Sequence, residues 1–435
     1  MRVEMAKTFV ELTMFYVEQG LAQTIEVFDS ADQLQALVLV DFGTDRMGIG
    51  NFDYMKSKGN ALGNSCAQLE QKIDGRGKID ILVISHTDND HINLLVKFLQ
   101  SNNIGIDRVI LGGTPRGRSS LDKFTDKVVE KQRGSKVLKG LGEQLVKIFP
   151  NPAQQVNFFA SMNHYFIEKN GHYVRKEGSE TRLAEWEFGS SQMRCPKAFL
   201  RVVTSRHFVD DTEVSKDAAA YINTNSVVLA MEVYADENDI IPASVIFLTG
   251  DIQWTTMEYL TECFEKGGTD CFPFLNPGVH RAMIVPHHGA LKTACKGNNI
   301  EKDTDGSNPL EVQLADLRKW GEKMDCEILA VSAKAGGNRQ HPCQQTMDKL
   351  STGHLRTNLP PHQNFEISAF LARNAVNCHY TETVIPADQR AVYTSYVGKV
   401  TAFGQQLDVE TARNVIITVD EEGNMAVSAE EREGA

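Results

Sequence analysis

Four side chains able to ligate a metal ion fall within one six-residue stretch, His86-Thr87-Asp88-Asn89-Asp90-His91. They follow directly on the apolar run from Ile79 to Ile84, which reads as a buried strand. Alternate residues of an extended loop point the same way, so His86, Asp88 and Asp90 are expected to converge while His91 opens the next helix beside them. Imidazole nitrogens and carboxylate oxygens suit Zn²⁺, and each added carboxylate moves the preference toward harder ions such as Mn²⁺. Three more segments place similar groups after strands: Leu248-Thr249-Gly250-Asp251, Val285-Pro286-His287-His288-Gly289 and Asn338-Arg339-Gln340-His341-Pro342. Alone, an Asp after Gly is an ordinary turn residue, and a His-Pro loop says little. Together, five of the twelve His occupy three short loops at strand ends, where the active sites of layered α/β proteins collect. Spacing alone leaves open which of His287 and His288 touches a metal.

The elements that must position these groups are legible as short runs rich in Val, Ile and Leu. They span Ala36 to Val40, Ile79 to Ile84, Val227 to Val233, Val245 to Leu248, Met283 to Val285 and Ile328 to Val331. Between them lie segments with helical spacing, His91 to Leu99, Asp122 to Phe149 and Leu310 to Met324, so a layered α/β architecture is expected. Residues 114–200 break the rhythm and read as a charged, helical insertion or lid. Within it, residues 115–139 hold eight Lys or Arg against three Asp or Glu, and Lys123, Lys127 and Lys131 recur every fourth residue. That line of cations reads as a solvated face, with Asp122, Asp126 and Glu130 forming a parallel acidic line, or as a surface that steers phosphates. Residues 414–428 read as a terminal hairpin and 429–435 as a short acidic tail, giving one domain over 1–428.

Composition narrows the functional classes. The chain has 435 residues, 41% hydrophobic and 23% charged, as in an ordinary globular protein. A net charge of -12 argues against a general nucleic-acid coat protein, so any polyanion must be held by a local patch or by metal. The eight Cys form no C-x-x-C pair, which excludes a zinc ribbon or redox motif and fits reduced thiols in a cytoplasmic protein. Neither a signal-peptide core nor a membrane-length apolar run is expected.

The stretch from His86 to His91 is similar to the H-x-H-x-D-H signature of the metallo-β-lactamase fold, in the H-x-D-x-D-H variant of ComEC-like DNA-uptake proteins. The resemblance continues in order through Gln19-Gly20, Asp41-Phe42-Gly43, Asn225-Ser226, Thr249-Gly250-Asp251, Pro286-His287-His288-Gly289, Asn338 and His341-Pro342. It implies a four-layer αβ/βα sandwich holding two divalent ions, Zn or Mn, at one edge of two facing sheets. It further implies His86 and Asp88 on the first ion, Asp90 and His91 on the second, Asp251 bridging both, and His288 as the late ligand of the second. His287 and His341 resemble residues that line the site, and Asp41 one that orients a ligand from behind it. Asn225 stands where many relatives have another His. The usual Gly-Gly after the motif is Asn93-Leu94, and the usual Gly-Gln-Gly-Asp opening is Glu18-Gln19-Gly20-Leu21.

What the resemblance implies for activity is a dinuclear metal-dependent hydrolase. Two ions would bring a bridging water near neutral pKa and offer a hydroxide to phosphorus, with Asp90 or Asp251 aiming it, so a phosphodiesterase or nuclease acting on DNA or RNA is the expectation. No Gly-x-Ser-x-Gly elbow suggests a serine nucleophile. Fold membership alone does not fix the substrate, so a small ester, amide or nucleotide is the alternative, and a binding module that keeps the fold and works with a partner is a third. Stand-alone chains of this kind also resemble effectors of bacterial defence systems, in which a regulatory protein restrains the hydrolase. The membrane channel that accompanies this domain in DNA-uptake proteins is absent from the sequence.

Overall fold

A computed structural model of the chain describes residues 7–46, 50–112, 136–148, 156–158, 166–169, 172–175, 182–187, 196–204, 223, 226–236, 238–290, 309–333, 344–350, 390–402 and 405–431. The chain opens with β1 (Thr8–Met14), β2 (Ala22–Phe28) and β3 (Leu34–Phe42), then α1 (Phe52–Ser57) and α2 (Ala61–Arg76). Next come β4 (Lys78–Ile84), α3 (Asn89–Ser101), β5 (Gly105–Leu111), α4 (Lys136–Ile148) and β6 (Val156–Phe158). A small hairpin, β7 (Phe166–Lys169) and β8 (His172–Arg175), precedes β9 (Arg182–Glu187), β10 (Lys197–Thr204), β11 (Val228–Tyr234) and β12 (Ser244–Leu248). The remainder is α5 (Trp254–Cys271), β13 (His280–Ile284), α6 (Pro309–Met324), β14 (Ile328–Val331), α7 (Gln344–Leu350), β15 (Arg390–Tyr393), β16 (Ser395–Ala402), β17 (Gln405–Asp420) and β18 (Met425–Glu431).

Two large sheets face one another. The first runs β16-β17-β1-β2-β3-β4-β5-β6, with β18 also on β17; the second runs β15-β14-β13-β12-β11-β10-β9. In each, a parallel block carries the strands that precede the candidate ligands: β3, β4 and β5 in the first, β12, β13 and β14 in the second. Apart from β5, whose Asp107 is exposed, these strands are buried on both faces along most of their length, which is why they are near-continuous apolar runs rather than alternating ones. Along β3, Val38 and Val40 face the second sheet while Leu37 and Leu39 face the helices.

Three apolar layers follow from that alternation. Between the sheets, Ile25, Val38, Val83 and Met231 meet Ile246 and Ile284. Outside the first sheet, Leu69 of α2 and Ile92, Leu95 and Phe98 of α3 cover Leu39 and Leu82. Outside the second, Leu260 and Phe264 of α5 and Trp320 of α6 cover Phe247, Met283 and Leu329. Each such side chain contributes roughly 1.5–3 kcal/mol when fully buried. The result is the expected four-layer αβ/βα sandwich, and its parallel strands all end toward one edge.

The expected helical insertion is corrected in part. Among the described residues of 114–200, α4 is helical but β6 extends the first sheet and β9 and β10 extend the second. β6 is only three residues long, and in β9 and β10 charges fall among the apolar residues, as in Arg182-Leu183-Ala184-Glu185-Trp186-Glu187 and at Arg201, so no long apolar run announced them. The Lys123, Lys127 and Lys131 line lies outside the described residues. The terminal hairpin is real and longer than expected, β17 with β18, and it joins the first sheet through β1. Among the described residues, no helix is long and apolar enough to cross a membrane.

Candidate metal centre

At the edge where the parallel strands end, β4 delivers Ser85 to Asp88 and α3 begins. Asp88 is the N-cap of α3, yet its side chain makes no capping bond. Asp90 therefore stands in the first helical turn rather than in an extended loop, a departure from the simple alternation expected of it, while His91 opens the helix as expected. Their backbone is gripped from the other side by the segment after β3. A β-carbon on Gly43 would lie 2.3 Å from the Asp90 carbonyl carbon, so only glycine lets the strand end approach the helix start this closely. Asn93, which replaces a usual glycine, clamps the backbone of Thr44, accepting from its N–H at 2.9 Å and donating to its carbonyl at 2.6 Å.

From the second sheet, β12 ends in Thr249-Gly250-Asp251. Gly250 takes a φ of 54°, with Ser85 Cβ only 2.9 Å from where its own β-carbon would be. β13 ends in Pro286-His287-His288-Gly289, where His287 and His288 hold φ values of 47° and 55°. Two consecutive non-glycine residues in left-handed backbone are costly and persist where the surroundings enforce them, which marks this turn as a candidate functional one.

These loops converge. His91 Nε2 lies 3.1 Å from Asp251 Oδ1, His86 Nε2 3.8 Å from both Asp88 Oδ2 and Asp251 Oδ2, and His288 Nε2 3.9 Å from Asp251 Oδ1 and 4.0 Å from Asp90 Oδ2. His287 Nδ1 is 3.2 Å from Asp251 Oδ2 and 3.3 Å from the Asn223 amide. Two overlapping groups could each hold an ion: His86, His91 and Asp251, and Asp90, His91 and His288. His86 and His91 are fully buried, Asp251 and His288 nearly so, while His287 keeps a partly exposed side chain. His341, Asn338 and Asn225 lie outside the described residues. Asn223, two positions before the Asn225 singled out in the sequence, is the neighbour of His287 that spacing missed; only its place just ahead of a strand hinted at it.

The hydrogen bonds behind the three deepest imidazoles fix which ring nitrogen faces the centre. Asp41, wholly buried, accepts from the Ser85 N–H at 2.7 Å through Oδ1, and from Ser85 Oγ at 2.6 Å and His91 Nδ1 at 2.8 Å through Oδ2. Ser85 Oγ thus spends its proton on Asp41 and accepts from His86 Nδ1 at 3.0 Å. His288 Nδ1 donates to the Ser332 carbonyl at 2.6 Å. With every Nδ1 committed as a donor, Nε2 of His86 and of His288 presents its lone pair inward, and Nε2 of His91 does so once that ring has lost its second proton. All three Nε2 atoms are sealed from solvent; those of His86 and His288 have no hydrogen-bond partner, and that of His91 faces Asp251 Oδ1 at 3.1 Å. Buried polar atoms are rarely left this way, and a histidine anchored through its other nitrogen is the usual setting of a metal ligand. The donor set, imidazole nitrogens with carboxylates, fits divalent ions such as Zn²⁺ or Mn²⁺.

Electrostatics agree. Burial pushes His86 well below the ordinary imidazole range, and it lowers His288 as well, so both are neutral and ready to ligate. Burial pushes His91 the same way, but the carboxylates of Asp251 and Asp41 outweigh it and hold His91 well above its ordinary value. Burial would raise Asp251, yet His287, His91 and His288 around it keep it well below the usual carboxylate range.

No protein-family model matches the sequence, and no curated protein does. Among solved structures, a long-form RNase Z from yeast aligns at 10% identity and a TM-score of 0.33, over 96% of this chain and 42% of that one. The metallo-beta-lactamase fold protein YhfI from Bacillus subtilis aligns at 10% identity and a TM-score of 0.29, over 79% of this chain and 92% of its own. A diphosphatase of the PhnP family aligns at 12% identity and a TM-score of 0.26, over 75% and 87%.

Proposed function

We propose that the chain is a divalent-metal-dependent hydrolase that cuts phosphodiester bonds in nucleic acid or a nucleotide. The observation that carries this reading is the set of three buried imidazole Nε2 atoms gathered around Asp251, each ring fixed from behind and those of His86 and His288 without any hydrogen-bond partner. His86, Asp88 and Asp251 would hold one ion, and Asp90, His91, His288 and Asp251 the other. Bound there, the ions would supply Lewis acidity toward phosphoryl oxygens and a water acidic enough to attack near neutral pH.

The residues around the ions complete the assignment. Asp90, partly exposed, or Asp251, buried, would accept a hydrogen bond from an attacking water and aim it. His287, more exposed than the other imidazoles, is placed to meet a phosphate oxygen or a leaving group, with Asn223 beside it. His341 is assigned to the same lining by the sequence resemblance. That resemblance, to the ComEC-like variant of the metallo-β-lactamase signature, favours a polynucleotide over a small ester.

The test is metal analysis by mass spectrometry, with DNA, RNA and a small phosphodiester such as bis(p-nitrophenyl) phosphate as substrates in Zn²⁺ and Mn²⁺. About two ions per chain and cleavage lost in Asp90→Ala are expected. Full cleavage in excess chelator would overturn the reading, and turnover of carboxylic esters alone would move the substrate class away from phosphate.

A further inference from the structure

A metal site drawn from two sheets needs a fixed span between them at its edge, and one peptide group stands where that span is set. The Gly20–Leu21 peptide, in the turn between β1 and β2, is hydrogen-bonded on both sides. Its carbonyl accepts from Ser332 Oγ at 2.5 Å, and its N–H donates to the Asp90 carbonyl at 3.2 Å. Ser332 follows β14 in the second sheet, and its own carbonyl is the acceptor that orients His288 at 2.6 Å. Asp90 lies in the first turn of α3, packed on the first sheet. A continuous path therefore runs from the His288 ring through Ser332 and the Gly20–Leu21 peptide to Asp90, joining from behind two members of the group Asp90, His91 and His288.

Each joint of this path is held. A β-carbon on Gly20 would lie 2.3 Å from the Gly43 carbonyl oxygen, so the turn is pressed against the same Gly43 that abuts Asp90. Ser332 is buried, and its neighbour Ala333 is fixed on the far side by Thr394, whose Oγ1 accepts from the Ala333 N–H at 3.2 Å and donates to the Ala333 carbonyl at 3.3 Å. The Ser332 hydroxyl is the side-chain link between the two sheets along this path. Its removal leaves the buried Gly20 carbonyl without that donor and unties the Ser332 backbone, whose carbonyl aims His288, from the first sheet.

We propose that Ser332 is a positioning residue for the ion held by Asp90, His91 and His288, with the Gly20–Leu21 peptide as the spacer between the two ligand loops. This rests on the metal-hydrolase reading above. It also gives a physical role to the Gln19-Gly20 turn, which the sequence marked without explaining.

The experiment is Co²⁺ titration of the full chain, stripped with chelator, following visible absorption and using a competing chelator for affinity, on wild type, Ser332→Ala, Ser332→Thr and Gly20→Ala. Ser332→Ala is expected to weaken one of the two ions about 10–100-fold, the range for loss of an outer hydrogen-bond partner of a ligand. The absorption band of that ion should shift, while the other ion stays within about twofold. Ser332→Thr, which keeps the hydroxyl, should restore most of the affinity, and Gly20→Ala should reproduce the defect from the other side. Thermal unfolding of the metal-free variants separates positioning from simple destabilisation. Wild-type affinities and spectra in Ser332→Ala would overturn the proposal, as would equal weakening of both ions in step with a lowered metal-free midpoint. A wild-type protein that takes up no Co²⁺ would instead overturn the metal reading beneath it.

Discussion

Asp41 shows how much of the site one residue behind the ligands controls. Its two oxygens take three protons, from the Ser85 N–H, Ser85 Oγ and His91 Nδ1, and through Ser85 they also set the tautomer of His86. Asp41→Asn keeps the shape but puts an amide donor where one of those protons points. Metal affinity should fall about 10–100-fold by competition with a chelator, and the metal-free protein should lose stability as well, because a buried charged pair with His91 is broken; unchanged affinity would mean that the ligands orient themselves. His91 carries a second expectation. Because Asp251 and Asp41 hold it above its ordinary value in the metal-free site, it is protonated near neutral pH and must give that proton up to ligate. Metal uptake should therefore release about one proton from this ring, and affinity should rise about tenfold per pH unit until His91 is neutral. Calorimetry in buffers of different ionisation enthalpy reads the proton directly, and a value of zero at pH 7 would contradict the assignment.

At the scale of elements, the end of β3 and the start of α3 meet through Gly43. Gly43→Ala drives a methyl to 2.3 Å from the Asp90 carbonyl carbon and 2.4 Å from the His91 nitrogen, so the helix start has to retreat. Overpacking of this kind costs typically about 1–3 kcal/mol, readable by denaturant unfolding, and here metal affinity should fall with it. Gly75→Ala is the contrast: exposed near the end of α2, with nothing within 4 Å of the added carbon, it should raise stability by up to about 1 kcal/mol and leave metal binding alone. The difference explains what the sequence could and could not disclose. The parallel strands β3, β4, β12, β13 and β14 were legible because burial on both faces makes them largely apolar, and the ligand loops because they follow those strands at once; β5, parallel as well, was not, since Asp107 and Arg108 interrupt it. The strands within 156–204 were not, because they are very short, as β6 is, or have charges among their apolar residues, as β9 and β10 do. Nor were the Asn93 clamp on Thr44 or the Ser332 bond to Gly20, since these bring together positions that no local pattern links.

At the scale of the whole molecule, the candidate centre is a place where the two sheets are tied by polar groups: His86, Asp90 and His91 come from the first and Asp251 and His288 from the second. Without metal, burial keeps His86 and His288 neutral while the unfolded chain protonates them near 6.5. Between their depressed folded values and 6.5 the unfolded state binds more protons, so their contribution to stability is present above 6.5 and lost as pH falls. His91 runs the other way, its contribution being full below 6.5 and lost as pH rises through its raised value. A divalent ion replaces this opposition with a ligand that binds the folded state, adding about 2.7 kcal/mol at a hundredfold excess over its dissociation constant. The thermal midpoint should then rise clearly on adding Zn²⁺ at pH 7.5 and hardly at all at pH 5.5, where protons compete for the imidazoles. Hydrogen exchange should slow at the start of α3 and after β12 and β13, with little change in the β17–β18 hairpin, which contributes none of the candidate ligands. Equal midpoints with Zn²⁺ and with chelator at pH 7.5 would mean that the polar edge holds itself together, and the unpartnered Nε2 atoms would need another explanation.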